Sequence, residues 1–177
     1  MRRAVLIGVA IGAVLALLAG AAIASSGSAK AGAMVKTRKT GLGVVLVNAQ
    51  GRTLYLFMKD KHGKSACYGQ CATYWPPLMK KGKVSAGTGV KAGLLGTTKR
   101  KNGKLQVTYK GHPLYLFKLD KGAGQVTGQR QNFFGGLWYA VSSSGGANKK
   151  APPSNGTTTT STTTTGTTTN YTTTSRY

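Results

Sequence analysis

The sequence predicts an all-β fold: a two-fold internal repeat of β-hairpins forming a small sandwich-like domain. Three observations carry that reading. The stretch "GRTLYLFMKDK" from Gly51 matches "GHPLYLFKLDK" from Gly111 at seven of eleven positions, an offset of 60 residues. The same offset sets Gly43 on Gly103 and Val47 on Val107 upstream, so the likeness marks a duplication and not a chance motif. Both copies consist of short β-rich runs separated by turn residues, with no convincing amphipathic helix between them.

In the first copy "GVVLVN" and "TLYLF" flank the turn "AQG"; in the second, "KLQVTY" and "PLYLF" flank "KG". Each pair reads as a β-hairpin. Period two puts Leu54 and Leu56 on one face and Tyr55 and Phe57 on the other, so the second strand is apolar on both faces and belongs inside the fold. "LLGTTKR" from Leu94 and "LWYAVS" from Leu137 supply further strands, and only Ser65 to Tyr74 has room for a short helix.

The ends of the chain differ from this middle. Residues 1–24 carry two arginines and then an apolar run from Ala4 to Ala24, the pattern of a signal peptide or a signal anchor. The run is long enough to cross a bilayer, so secretion and anchoring by an uncleaved N-terminal helix both stay open, and either places the body outside the cytoplasm. Residues 25–39 read as a basic linker, 40–146 as the two-repeat β domain and 147–177 as a Thr-rich tail. The stretch from Ala151 to Tyr177 holds 14 threonines and almost no aliphatic side chain, too little apolar surface to offset the entropy of ordering it.

Charge bounds the partners. The chain has 25 Lys and Arg against two acids, a formal charge of +23, which attracts polyanions over long range. For an exported protein these are anionic cell-envelope polymers or a membrane surface. The basic residues are scattered through turn-rich sequence, which gives no specific nucleic-acid partner; adaptation to an unusual medium is the competing account of the charge. The only two acids, Asp60 and Asp120, occupy the same place in the two copies. Each is expected to accept hydrogen bonds from N–H groups two residues on, to end its strand, and to be kept ionised by local lysines, with a ligand contact as the alternative.

Several motifs together resemble a known family. Tyr55, Phe57 and Asp60, and again Tyr115, Phe117 and Asp120, fit the Tyr-x-aromatic-x-x-Asp pattern of the bacterial secreted repeat family, also described as predicted lipoproteins. "SACYGQCATYWPPL" from Ser65 resembles its Cys-rich loop leading into Trp-Pro-Pro-Leu, and "NFFGGLWYAVSSSG" from Asn132 resembles its closing strand. The resemblance spans roughly Thr40 to Gly146. It implies an extracytoplasmic β-rich domain of generally unknown biochemical function. The chain departs from lipoprotein relatives in having no cysteine after its apolar run, so attachment by an acyl chain is not implied.

Cys67 and Cys71, the only cysteines, form most simply a local disulfide outside the cytoplasm. The alternative is redox or copper chemistry on Cys67, Cys71 and His62, with Met58 or Met79 as a soft ligand; His112 lies in the other copy. A hydrolytic site would need Asp60 and Asp120 to meet across a pseudo-two-fold axis, and no nucleophile motif or phosphate-cradling loop accompanies them. Trp75, Trp138 and the repeat aromatics suit core packing, with a stacking surface as the alternative. The expected function is therefore non-enzymatic and cofactor-free: an exported envelope or surface module that binds anionic polymers.

Overall fold

The computed structural model describes residues 32–152. The apolar run at 4–24 and the Thr tract after residue 152 lie outside the described residues. Along the described chain run β1 (Ala33–Thr40), β2 (Gly43–Asn48), β3 (Tyr55–Phe57), α1 (Gln70–Tyr74), β4 (Val84–Ala86) and a 3-10 turn at Ala92–Leu94. β5 (Leu95–Lys99), β6 (Leu105–Tyr109), β7 (His112–Pro113), β8 (Asn132–Phe133) and β9 (Gly136–Ala140) follow. Three three-stranded sheets have the orders β2-β1-β4, β3-β9-β8 and β5-β6-β7. The fold is all-β and duplicated.

The basic segment read as a linker holds a strand. From residue 33 onward it forms β1, antiparallel to β2 with Val35 opposite Asn48 and Thr40 opposite Gly43. Only Val35 of this strand is buried, so its polar and basic residues disguise a strand whose place depends on backbone pairing. The tail also begins later than expected, because Asn148 and Lys150 offer their backbone oxygens to Gln129 at 2.6 and 2.8 Å.

The two copies are interlocked. Tyr55 and Tyr115 exchange backbone hydrogen bonds in both directions, at 2.8 and 2.9 Å. The pseudo-two-fold axis passes through that antiparallel pair. On its far side, β3 of the first copy pairs with β9 of the second, Leu56 opposite Tyr139. The counterpart pairs Leu114–Lys118 with the Trp-Pro-Pro-Leu segment of the first copy. Thus Val141 N donates to Leu54 O as Leu78 N donates to Leu114 O, and Met58 N to Leu137 O as Lys118 N to Tyr74 O. Pro76 and Pro77 lack the N–H groups of a regular ladder, which hides this segment's likeness to β9.

Hairpin geometry shifts one register. Asn48 faces Arg52 across a three-residue loop ended by Gly51 at φ 79°, whereas Tyr109 faces His112 across Lys110 and Gly111, at φ 49° and 79°. The first is a turn with a glycine bulge and the second a two-residue type I′ turn. In consequence Leu54 N bonds Leu46 O while Leu114 N bonds Val107 O. Leu46, not Val47, is therefore the structural counterpart of Val107, since one residue's slip changes the face a side chain occupies.

Two cores lie on either side of the central pair. Tyr55, Phe57, Tyr115, Phe117, Trp75, Trp138 and the two cysteines fill one; Leu46, Leu54, Leu56, Val107 and Leu114 belong to the other. The alternation expected of "LYLF" is what divides them. In the aromatic core four rings form a continuous stack, Phe57 on Trp138 at 4.0 Å, Trp138 on Trp75 at 3.9 Å and Trp75 on Phe117 at 4.2 Å. Tyr55 meets Trp75 edge-on at 5.3 Å and Tyr115 meets Trp138 at 5.1 Å, so the stack obeys the same pseudo-symmetry. Each such pair adds about 0.5–1.5 kcal/mol beyond the area buried.

Gly128 closes this core without a side chain. A Cβ there would stand 2.8 Å from Trp75 Cη2 and 3.0 Å from Tyr55 Cε1, both parts of rigid rings. Gly128→Ala is expected to lower the unfolding free energy in urea by about 1–3 kcal/mol. Gly93→Ala, at a position with nothing within 4 Å, changes it by less than about 0.5 kcal/mol. Equal effects at the two sites would contradict the packing described.

Candidate functional site

The repeat motif assembles across the copies. Tyr55 donates its phenolic hydrogen to Asp120 Oδ2 at 2.7 Å, and Tyr115 donates to Asp60 Oδ2 at 2.8 Å. Each motif tyrosine is thus bound by the other copy's aspartate. The strand direction requires this: the antiparallel pairing at Tyr55 and Tyr115 runs each tyrosine beside the chain that leads to the opposite acid. Phe57 and Phe117, the third motif positions, take the two ends of the ring stack.

The remaining carboxylate oxygens are engaged as well. Asp60 Oδ1 accepts from Ala66 N at 2.8 Å, and Asp120 Oδ1 accepts from Thr127 N at 3.0 Å and Thr127 Oγ1 at 2.6 Å. The acids therefore close loops of six and seven residues, not the N–H groups two residues on that local turn chemistry suggests. The hydrogen-bond partners that hold them are neutral. Burial pushes both carboxyl groups above their ordinary value of 3.8, more than the hydrogen bonds and the Arg100 and Arg52 charges pull them down. Local lysines do not decide their ionisation. Burial, and after it the neighbouring carboxylate, raises both phenols, so Tyr55 and Tyr115 remain donors.

The environments of the two pairs differ. Asp120 is 1% exposed, while Asp60 is only partly buried. On the Tyr55 side the phenol oxygen accepts from Gly128 N at 3.3 Å. On the Tyr115 side Ser65 Oγ stands 2.8 Å from the phenol and accepts from Arg100 Nη1 at 2.9 Å. Arg100, itself buried, also donates to Gln106 Oε1 and to Cys67 O, tying the cysteine loop to β6. Ser65, Arg100, Gln106 and Thr127 are site residues that the motif does not contain.

Cys67 and Cys71 form a disulfide with Cα atoms 5.3 Å apart, both buried against the aromatic core. The bond consumes the thiolates a copper site would use. His62 sits exposed on a turn at φ 49°, Met58 is exposed, and His112 is exposed in β7. Among the described residues no three His, Cys, Asp or Glu side chains gather as a metal site. Trp75 and Trp138 are fully buried, so neither presents a stacking face. Trp138 Nε1 donates to Phe133 O at 3.2 Å, whereas Trp75 Nε1 has no partner among the described residues.

A duplicated β module whose motif residues fasten one copy to the other is the class of protein that this fold and site define. The family model for a secreted repeat of unknown function matches residues 36–79 and 96–142, one match per copy and more than half of the chain, and the protein belongs to that family. No curated protein and no solved structure matches the chain. Membership makes the protein extracytoplasmic. Among the described residues no helix is long and apolar enough to cross a membrane.

Two measurements check this arrangement. In double-mutant cycles by urea unfolding, Tyr55→Phe with Asp120→Asn and Tyr115→Phe with Asp60→Asn should couple by about 1 kcal/mol, while Tyr55→Phe with Asp60→Asn adds within about 0.5 kcal/mol. Coupling within a copy instead of between copies would reverse the assignment. For the pH dependence, both folded carboxyl values lie above 3.8. Their contribution to stability is thus complete below the unfolded value and is lost as pH rises through the folded one. The melting midpoint should rise on acidification from about pH 7 to about pH 4; a fall over that interval would show that the carboxylates favour the ionised form in the folded protein.

Proposed function

We propose that this secreted repeat protein is a non-enzymatic module of the cell envelope or cell surface, whose cationic exterior binds anionic envelope polymers. The observation that carries the reading is the fate of the two acids. Both turn inward onto the opposite copy's tyrosine, while every lysine from Lys39 to Lys150 is exposed. Little exterior negative charge is left to oppose those cations, and repulsion among them is relieved by a polyanion.

Some of the scattered lysines come together in the fold. Lys80, Lys81 and Lys104 border a shallow cavity of about 340 Å³ with Met79 and Leu105, where Lys80 N bonds Leu105 O at 2.8 Å. A phosphate- or carboxylate-bearing polymer laid there meets cations brought together from two separate segments of the chain. A non-enzymatic role is supported by the chemistry already committed elsewhere: all four carboxylate oxygens accept hydrogen bonds within the fold, and the cysteines are joined.

Binding to poly(glycerol phosphate), followed by calorimetry, should weaken by about tenfold or more between ~50 and ~200 mM salt, as counterion release requires. The triple variant Lys80→Gln, Lys81→Gln, Lys104→Gln should bind more weakly and with a shallower salt dependence. Absence of binding at low salt, or affinity indifferent to salt, would remove the proposal.

A further inference from the structure

The β8–β9 hairpin ends in an unusual turn. Phe133 is paired with Gly136, leaving Phe134 and Gly135 as a two-residue loop, with Phe134 at φ 58° and Gly135 at φ 80°. Such type I′ loops favour Asn, Asp or Gly in the first position, and an aromatic side chain in the left-handed region is sterically unfavourable. The turns at His62–Gly63 and Lys110–Gly111 have the same positive φ pattern but put a polar side chain there. Phe134 is the bulky apolar exception.

The strain exposes apolar surface. Phe133 is 46% exposed, Phe134 36% and Tyr74 40%, and they adjoin one another: Phe134 lies 6.4 Å from Phe133 and 6.1 Å from Tyr74 between ring centroids. Cations flank the group. Lys59 Nζ donates to Phe134 O at 3.4 Å, and Lys118 Nζ lies 5.5 Å from the Tyr74 ring. Local strain retained in order to present a side chain marks a functional position.

We infer that the Phe133–Phe134 tip, with Tyr74 between Lys59 and Lys118, is a docking surface for an anionic lipid membrane. The tip of a two-residue hairpin is convex, so it suits a deformable surface into which rings can sink better than a partner that must supply a matching groove. Phenylalanine and tyrosine favour the boundary between head groups and acyl chains, and lysines beside them meet lipid phosphates. The inference rests on the extracytoplasmic location and goes beyond polymer binding, because it assigns an apolar contact that salt screens little.

The test uses the full chain, with the N-terminal apolar run present in every sample, and reads the tip itself. Hydrogen exchange by mass spectrometry over the peptide 130–137 is compared on phosphatidylglycerol-containing vesicles and on phosphatidylcholine vesicles. The native tip should exchange at least about fivefold more slowly on the anionic vesicles, the protection expected of amides withdrawn from water. The variant Phe133→Ser, Phe134→Asn should lose that difference. Its melting midpoint should match or exceed the native value, since Asn suits the left-handed turn, which separates loss of docking from loss of fold. Equal exchange on the two vesicles, or undiminished protection in the variant, overturns the inference. So does equal protection by soluble poly(glycerol phosphate), or protection that grows with protein concentration without vesicles, which would assign the tip to a polymer or to a second copy of the chain. Salt-sensitive polymer binding, measured on the same variant, should persist; its loss in the native chain alongside intact tip protection would defeat the polymer reading and leave this one standing.

Discussion

Two backbone hydrogen bonds, Tyr55 N to Tyr115 O and the reverse, set the geometry on which the other elements depend. Because the residues are directly opposite in an antiparallel pair, their side chains share a face and the axis relating the copies is located between them. From that placement the rest follows. Both phenols enter one core, each next to the other copy's acid, and the strand on each outer flank comes from the copy across the axis. The tryptophans on those flanking strands then meet face to face at 3.9 Å, with the motif phenylalanines continuing the stack on both sides. The family motif is therefore a device for joining halves, since none of its three residues finds its main side-chain partner within its own copy.

Symmetry is kept in the backbone and relaxed in the loops. The first copy leads from its aspartate through a disulfide-closed turn and α1, held by the buried Arg100 guanidinium. The second uses Thr127 and the bare backbone of Gly128, whose missing side chain is what lets Trp75 and Tyr55 approach. Different solutions satisfy the same demand, a donor for the acid and a floor for the ring stack. The electrostatic result is common to both: each carboxylate is turned onto the other copy's phenol in a chain that carries +23.

Strand runs and faces were legible in the sequence because they depend on near neighbours. The period of two in "LYLF" separates Leu54 and Leu56 from Tyr55 and Phe57, as the two cores do. The two hairpins were legible too, but the partners beyond them were not, because alternation describes which face is buried and says nothing about which distant backbone lies alongside. For the same reason β1 hides in a basic segment, and prolines mask the counterpart of β9. Constant-offset alignment mispairs Val47 with Val107 because one extra loop residue changes the register without erasing the identity. For the aspartates, short-range turn chemistry competed with a longer-range signal that was present. A buried phenol needs an acceptor, and the two motif tyrosines had only two side-chain carboxylates in the chain to share.

The crossing of strands between copies also orders events in time. When the first copy leaves the ribosome, Tyr55 has neither Tyr115 beside it nor Asp120 for its hydroxyl, and β3 lacks β9. At about 5–20 residues per second, synthesis reaches Val141 on the order of ten seconds later. Until then the half-made chain has no closed aromatic core, and its long-range pairings cannot form early. A protein destined to leave the cytoplasm thus carries, in its topology, a delay that keeps it pliable until its last strand exists.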